Sequence, residues 1–323
     1  MTAHKKAAGS YPTPAAYKNS EQHHFTTADI ERQFTDAAGV AGIHLTGAIV
    51  ADGTLHRGHL DGHKPGTKNG AYILHLDGHP AGWALDFTTG ASMTWRAYGR
   101  RARLSDADRA AIAAERQRRE QERQQAHRTA ADKARFIWSR SKLIHQSEEH
   151  PYLVTKRIQP HNARLSEYQG RSSLVIPIMG ESGLTSLQFI KADGGKRFLP
   201  GGEIKGCFFG IGMSGVTASE PGRILIAEGF ATGASLSEWF RQPVIVAFNA
   251  GNLEPVARRI KALYPNHELI ICGDNDASGT GQKAARAAAL AVGGKYLIPP
   301  IVGQDFNDAI NAWRDMVNTE VAV

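Results

Sequence analysis

The sequence has few cysteines and no long apolar run. Only Cys207 and Cys272 occur in 323 residues, which excludes a disulfide scaffold and fits a reducing compartment. No segment is long and apolar enough to cross a bilayer. The first residues, Met1 to Tyr11, carry charge but lack the apolar core of a signal peptide. We therefore expect a cytoplasmic protein that does not bind a membrane.

Basic residues outnumber acidic ones. The chain has 38 Lys and Arg against 31 Asp and Glu, a formal net charge of +7. Such a balance favours an acidic polymer as a partner. Apolar residues make up 41% of the chain, which is enough for hydrophobic cores, and the length indicates two or three domains.

The N-terminal third predicts an arm and a small domain. Residues 1–22 are rich in Ala, Ser, Pro, Lys and His, and are expected to form a disordered arm. Residues 23–99 predict a small α+β domain. Its helix is expected from Thr26 to Ala37 with Thr27 as the N-cap. The short alternating segments and Asp-Gly turns that follow indicate an antiparallel sheet.

Histidines of this domain raise the question of a metal site. The spacing of His56, His59 and His63 superficially resembles a set of zinc ligands. Imidazoles on solvated hairpins need no metal, however, and no cysteine pair accompanies them. The sequence therefore favours the absence of zinc.

Aromatic residues of the same domain have two possible uses. Trp83 and Trp95 could stack on the bases of a single strand of nucleic acid. Large aromatic side chains more often form the core of a small sheet, because they are rarely left in water. Both interpretations stay open.

Residues 100–142 predict a basic helical linker, with a helix from Ala107 to Arg140. The middle of this helix has no apolar stripe, so it is either a solvated spacer or a face that binds nucleic acid. Pairs such as Glu115 with Arg119 at i,i+4 support the spacer. The candidate contacts with nucleic acid are Arg116, Arg118, Arg119 and Arg123.

The most informative pattern lies in the last hundred residues. An apolar strand from Ile224 ends in Glu228 and Gly229, and a later one ends in Asp274 and Asp276. Strand and helix segments alternate around them, which indicates an α/β fold with a parallel sheet and helices on both faces. Because parallel strands end at one edge of a sheet, we expect these carboxylates to converge there.

These strand ends resemble the Toprim domain, which bacterial-type primases, topoisomerases and some nucleases share. A third segment, Gln304 to Asp308, is similar to the acidic segment of plasmid and phage primases. In the replicative primases an aspartate stands where this chain has Asn307. Residues 221–323 are thus identified as a Toprim domain, and the resemblance implies a bacterial DNA primase of the plasmid, phage or mobile-element kind.

Residues 143–220 predict two strands, a turn and a basic loop rich in glycine. The resemblance implies a β-rich basic subdomain here, which lines the groove for template and incoming nucleotide. Solvated surface charge is the alternative for each basic residue. The candidates for template or nucleotide contacts are Arg171, Lys191, Lys196 and Arg197, together with Gly229, which permits close backbone approach.

The resemblance also implies the chemistry. A primer grows when a 3′-hydroxyl attacks a nucleoside triphosphate, and Mg²⁺ (or Mn²⁺) held by carboxylates stabilises the charge that develops. Asp274 and Asp276 would share a metal ion, which Glu228 would complete unless it acts as the acid or base. Asp305 and Asp308 would hold a second ion.

Three alternatives stay open at this point. Carboxylates at strand ends commonly cap the next helix, and Asp276 could do only that. A Toprim nuclease would use the same metals to activate water. A catalytically silent replication factor would only bind a single strand. The partners expected for a primase are single-stranded DNA, nucleoside triphosphates and a separate replicative helicase.

Overall fold

The computed structural model describes residues 26–76, 79–97, 106–168 and 171–321. The chain divides into two compact units, Met1–Glu120 and Gln121–Val323. The arm expected over residues 1–22 lies outside the described residues, and the finer domain boundaries stay predictions. Within the described ranges, no helix has both the length and the apolar character needed to cross a membrane.

The first unit packs one helix on an antiparallel sheet. The helix α1 spans Thr27–Val40, and the sheet has the order β1-β2-β3-β4. Phe34, from the buried face of α1, contacts Trp95 edge-on, with ring centroids 5.8 Å apart. A methyl group on Gly82 would lie 2.5 Å from the ring of Phe34, so only glycine lets the helix approach the sheet this closely. The four strands are β1 His56–Gly58, β2 Gly70–His75, β3 Ala81–Asp86 and β4 Ser92–Arg96.

The prediction of Thr27 as the N-cap of α1 is wrong by one residue. Thr26 is the cap: its Oγ1 accepts a hydrogen bond from the Asp29 N–H at 3.2 Å, and its own N–H donates to Asp29 Oδ2 at 3.1 Å. This reciprocal pair requires a side-chain acceptor three positions after the cap. Asp29 meets that spacing for Thr26, whereas Glu31 lies four positions after Thr27.

The long helix α2 spans Asp106–Arg140. In the first unit, Glu115 accepts hydrogen bonds from Arg118 and Arg119, both at 2.7 Å, and Arg119 also pairs with Asp52. The pair of Glu115 with Arg119 is the one that the spacer interpretation predicts. In the second unit, Ala130 and Ala134 of this helix are buried against apolar side chains of β7 and β8.

The second unit begins with an antiparallel sheet of order β5-β6-β7-β8-β9. A 3₁₀ turn, Ser147–Glu149, and a short helix α3, Pro151–Lys156, connect its first two strands. Strands β7 and β8 form a long hairpin around Gly183, and β9 follows the glycine-rich loop. The strands are β5 Lys142–Leu143, β6 Arg164–Tyr168, β7 Arg171–Gly180, β8 Gly183–Ile190 and β9 Lys196–Phe198.

The remainder forms the parallel sheet that the sequence predicts, with the order β10-β12-β11-β13-β14. The pairing is parallel throughout except for β10, which runs antiparallel to β12. Its strands are β10 Phe209–Ile211, β11 Gly222–Ala227, β12 Val244–Val246, β13 His267–Cys272 and β14 Lys295–Leu297.

Helices cover both faces of this sheet. The helices α4 and α7 bury one face, and α5 and α6 bury the other. The central strands β11, β12 and β13 are thus shielded on both sides, which is why their sequences are mostly hydrophobic. The helices are α4 Phe230–Phe240, α5 Leu253–Leu263, preceded by a 3₁₀ turn at Ala250–Asn252, α6 Thr280–Val292 and α7 Phe306–Val321.

The buried amide of Asn252 fastens the loop before β10 to the parallel sheet. Its Nδ2 donates to the carbonyls of Ile204 and Cys207, each at 3.0 Å, and of Ala247 at 2.8 Å. Its Oδ1 accepts from the N–H of Gly206 at 2.7 Å. A single side chain thereby satisfies several buried backbone groups.

We expect Asn252→Ala to lower the free energy of unfolding by roughly 3 kcal/mol, because it leaves these backbone groups unpaired. Urea unfolding followed by circular dichroism measures this. Asn266→Ala is the matched control: its amide also bonds two carbonyls, but it is exposed, so the loss should stay within about 0.5 kcal/mol. Equal losses for the two variants would contradict the role given to Asn252.

Candidate active site

Glu228 stands directly after β11 and before the first turn of α4. It is half-buried, and its carboxylate accepts a hydrogen bond from the N–H of Ala250, which follows the neighbouring strand β12. Burial raises the pKa of Glu228, and the charge of Asp276 adds to that effect. The N–H of Ala250 and the ammonium of Lys196 oppose the rise without cancelling it.

Asp274 follows β13 at the same edge of the sheet. Its Oδ1 is buried and has no hydrogen-bond partner among the described atoms. Burial, followed by the charges of Glu228 and Asp305, raises the pKa of Asp274 to about 7, against the opposing charge of Lys196. Asp274 is therefore the least satisfied carboxyl of the site.

Asp276 has the opposite environment. It accepts hydrogen bonds from the N–H groups of Gly281 at 2.6 Å and Thr280 at 3.2 Å, and from the hydroxyl of Ser278. These bonds lower the pKa of Asp276 to about 2, with the Ser278 hydroxyl contributing most. Asp276 thus caps the N-terminus of α6, as expected if its role is that of a helix cap.

Asn275, which sequence reasoning missed, connects the second acidic motif with the third. Its N–H donates to the carbonyl of Gln304 at 3.0 Å, and its own carbonyl accepts from the N–H of Gly303 at 2.6 Å. This two-way pairing brings Asp305 to within electrostatic reach of Asp274. The middle position of an Asp-x-Asp motif gave no signal of such a role.

Asp305 and Asp308 open α7 by a reciprocal cap. The N–H of Asp308 donates to Asp305 Oδ1 at 2.9 Å, and the N–H of Asp305 donates to Asp308 Oδ2 at 3.3 Å. Asp308 is exposed, and its Oδ1 lies 3.7 Å from Lys156 Nζ. Of these two predicted metal ligands, Asp305 is thus the one that acts electrostatically on Asp274.

Asn307, which stands where replicative primases have an aspartate, is a buried hydrogen-bond donor. Its Nδ2 donates to the carbonyl of Lys156 at 2.7 Å and to Ser235 Oγ at 2.8 Å. A carboxylate could not donate to that carbonyl. Asn307 therefore fixes the start of α7 against α3 and α4.

Lys196 is the basic residue that the structure brings to the acidic edge. A methyl group on Gly229 would lie 3.9 Å from Lys196 Nζ, so the ammonium is next to the first turn of α4. Desolvation of the ammonium lowers the pKa of Lys196, although the residue as a whole is exposed. The negative charges of Asp305, Asp274 and Glu228 oppose this shift. Gly229 and Lys196 thus lie beside the carboxylates, and their contact with a nucleotide or template stays a prediction.

The other residues predicted to line the groove are Lys191, Arg197 and Arg171. Lys191 and Arg197 are exposed, and the Arg197 guanidinium lies over the ring of Phe189, 5.0 Å from its centre. Arg171 opens β7, but its side chain lies outside the described residues.

Of the two tryptophans proposed for base stacking, Trp83 is half-buried on β3. Trp95 is 6% exposed and packs in the core of the first unit. A base cannot stack on a ring that the core encloses, so the alternative interpretation as a core residue is the one that fits Trp95.

The histidines of the first unit have separate neighbours. His56 Nε2 lies 2.9 Å from an oxygen of Asp52, and His63 Nε2 lies 3.2 Å from one of Asp86. Across the described residues, no three His, Cys, Asp or Glu side chains are already grouped as a metal cage.

Comparison with known proteins identifies the fold of the parallel-sheet part of the second unit. Residues 223–313 match the family described as the Toprim domain. The chain therefore carries a Toprim domain, and the interpretation of its strand ends is confirmed. Toprim domains bind divalent metal ions such as Mg²⁺.

The relatives are primases. The chain is 33% identical over 282 residues to the DNA primase TraC of Escherichia coli, covering 83% of this chain and 19% of that protein. A second E. coli protein of the same name is 33% identical over 261 residues, covering 77% and 24%. The chain thus spans about a fifth to a quarter of the length of these relatives. Among solved structures, the primase fragment of the bacteriophage T7 primase-helicase protein is 17% identical, covers 56% of this chain and 79% of that chain, and gives a TM-score of 0.41.

In metal-free protein, we expect Asp274→Asn to reduce the loss of stability that accompanies rising pH. A carboxyl whose pKa rises from 3.8 to about 7 on folding stabilises the fold fully below the lower value, and that contribution is lost as the pH rises through the upper one. Urea unfolding in EDTA between about pH 4.5 and about pH 7.5 measures the effect. The advantage of the variant over wild type should grow across this window.

Asp276→Asn is the control of opposite sign. The pKa of Asp276 is lowered to about 2, so its stabilising contribution is present above 3.8 and lost only as the pH falls through the lower value. This variant should be less stable than wild type at neutral pH. The same pH dependence in both variants would contradict the two environments.

Proposed function

We propose that the chain is a DNA primase that synthesises short RNA primers on single-stranded DNA. The observation that carries the proposal is the convergence of Glu228, Asp274, Asp305 and Lys196 at the carboxyl edge of a Toprim sheet. Most of the chain is related to proteins named as DNA primases. The setting in a bacterial cytoplasm, on a plasmid, phage or other mobile element, belongs to the same proposal.

The carboxylates fit a divalent cation, Mg²⁺ or Mn²⁺. Asp274 has a buried oxygen without a partner, and Glu228 and Asp305 raise its pKa, so a cation among them would relieve both desolvation and repulsion. Mg²⁺ usually takes only one or two protein carboxylates and completes its shell with phosphate oxygens and water. The arrangement of the described residues, without a ready-made cage, suits that ion.

The side chains would divide the work as follows. Asp274 and Glu228 would hold the metal, with Asp305 beside them. Asp276 would contribute its charge from the cap of α6, and Asp308 is the outermost candidate. A metal ion bound here would neutralise the charge that develops on the attacking and leaving oxygens. In its alternative role, Glu228 would take the proton of the attacking hydroxyl instead of holding the metal, and its raised pKa suits that role.

The incoming nucleoside triphosphate would bind beside the acidic edge. Lys196 supplies a cation there, and the absence of a side chain at Gly229 leaves the first turn of α4 open to a phosphate. Exposed Lys191 and Arg197, with Arg171, would contact the template by its phosphates. A separate replicative helicase is proposed as a further partner.

Primer synthesis on single-stranded DNA with labelled nucleoside triphosphates and Mg²⁺ tests the activity. Wild type should make short RNA, and Asp274→Asn should lose more than about 100-fold, because the metal would lose a ligand worth several kcal/mol in the transition state. Glu268→Gln is the control, since Glu268 lies near the other end of the same strand and pairs with Arg223 and Lys295. It should keep wild-type activity.

Two outcomes would replace the proposal. Metal-dependent degradation of the template without synthesis would identify a nuclease. Binding of the single strand without any metal-dependent chemistry would identify a replication factor that only binds.

The basic helix gives a second test. If α2 binds phosphates, replacing Arg116, Arg118, Arg119 and Arg123 by Gln should flatten the salt dependence of single-strand binding by about 0.7 in the log–log slope for each lost contact. Fluorescence anisotropy across a salt series measures this. The double variant Arg223→Gln, Arg258→Gln removes two exposed charges that are paired within the second unit and should leave the slope unchanged. An unchanged slope in the α2 variant would make the helix a spacer.

A further inference from the structure

The sheet of the first unit has two faces with different side chains. The ring centroids of Tyr72 and Trp95 lie 6.1 Å and 5.8 Å from that of Phe34 on α1, so these two residues belong to the face that α1 covers. Side chains alternate between the two faces along a strand. The strand register then defines the opposite face, here called the outer face, by Arg57, Ile73, Trp83, Phe87, Thr94 and Arg96.

Trp83 stands in the middle of the outer face. It pairs with Ile73 of β2 on one side and with Thr94 of β4 on the other. Directly opposed side chains on one face of a sheet lie about 5 Å apart, so the indole has a neighbour on each side. Trp83 is half-buried, whereas Trp95 on the other face is 6% exposed. The outer face thus presents part of a large aromatic ring to solvent.

A second flat group lies at the end of β3. Phe87 is 50% exposed, and the Arg57 guanidinium lies over its ring, 4.0 Å from the ring centre. A guanidinium held in this way is oriented by the ring beneath it. Bases stack on arginine planes as well as on aromatic rings. The Arg57–Phe87 pair therefore forms a second stacking surface beside Trp83.

Charge is distributed unequally between the two sides of the first unit. The outer face has an exposed arginine on each edge strand, Arg57 on β1 and Arg96 on β4. The sequences of the four strands contain one acidic residue, Asp86, which is 1% exposed. On the other side, α1 carries three acidic residues and one basic residue, namely Asp29, Glu31, Asp36 and Arg32. An anionic partner therefore suits the outer face and not the side of α1.

Single-stranded nucleic acid combines the two properties that this face selects. It offers a chain of phosphates to basic side chains and unstacked bases to aromatic rings. Four-stranded sheets with aromatic residues serve as such platforms in other proteins. In a duplex the bases stack on one another, so no base face is left for Trp83. An apolar protein surface would cover the indole but would not account for an arginine at each edge.

We propose that the outer face binds single-stranded DNA, with bases stacked on Trp83 and on the Arg57–Phe87 pair and with phosphates near the arginines of the two edge strands. The inference rests on the proposed primase function in one respect, because it takes the bound strand to be the template. The platform itself lies within the first unit and requires neither a metal ion nor a nucleoside triphosphate.

Binding of a labelled oligothymidylate to the full chain tests the platform. Fluorescence anisotropy in EDTA, without nucleoside triphosphates, measures Kd separately from any catalysis. We expect Trp83→Leu to raise Kd about 10-fold, because it removes the surface for one stacked base. Trp83→Phe keeps an aromatic ring and should lie closer to wild type. Neither variant should change the affinity for a duplex of the same length.

A double variant decides the question if Trp83→Leu does not fold. Phe87→Leu combined with Arg57→Gln changes only exposed residues and should also raise Kd about 10-fold. The matched control is Phe136→Leu combined with Arg140→Gln. Phe136 is 59% exposed on α2, and the Arg140 guanidinium lies over its ring, 4.9 Å from the ring centre. This control removes the same pair of groups from a helix and should bind the oligonucleotide as wild type does.

The salt dependence of binding reports on the arginines alone. Arg57→Gln combined with Arg96→Gln should flatten the log–log slope by about 0.7 for each lost phosphate contact. Trp83→Leu should leave the slope unchanged, since stacking on the indole releases no counterion.

Each contrary outcome has a defined meaning. Unchanged affinity for the oligothymidylate in the folded outer-face variants would overturn the proposal and leave this face to a protein partner. An equal loss of affinity for the duplex, or in the control variant, would overturn stacking on this face. Binding that depends on the outer face, without primer synthesis by wild type, would support the platform and overturn the primase function. Primer synthesis with unchanged binding in the variants would do the reverse.

Discussion

Repulsion among carboxylates in a partly dehydrated place is the constraint on which the second unit depends. The strands β11 and β13 end side by side, so the acids that follow them are forced together where water is scarce. The surrounding groups moderate this conflict without removing it. The N–H of Ala250 faces Glu228, and the ammonium of Lys196 faces the whole set. The carboxylates at this edge of the sheet would therefore be stabilised by an additional positive charge.

The two aspartates of the second motif lie in opposite electrostatic environments, although only one residue separates them. Asp276 accepts hydrogen bonds at the N-terminus of α6, and its pKa is lowered. Asp274, two residues earlier, is buried among like charges, and its pKa is raised. The same side chain thus serves as a fixed anion in one position and as a ligand awaiting a cation in the other. Asn275 between them is committed to neither task, because its backbone holds the loop that leads to Asp305.

The sequence predicted the parallel sheet well because continuous apolar strands and their acidic ends are local signals. The strand predicted from Ile224 up to Glu228 is observed as β11, Gly222–Ala227. Contacts between distant segments left no such signal. The antiparallel strand β10 and the loop pairing of Asn275 both depend on partners far along the chain. The error in the N-cap of α1, Thr27 instead of Thr26, concerned a local signal. The correct cap is the threonine that has an acidic residue, Asp29, three positions later.

The amide of Asn307 joins segments that lie far apart in the chain. It bonds the carbonyl of Lys156 across 151 residues and the hydroxyl of Ser235 across 72. Contacts of such sequence separation close late in folding, because the entropy of the long loop opposes them until other elements are in place. The strands that carry Glu228 and Asp274 are translated earlier, so a nascent chain can hold a nearly complete sheet while the third acidic segment is still inside the ribosome. The nascent sheet therefore exposes the apolar face later covered by α7, and this interval is when it is most open to chaperones or to aggregation.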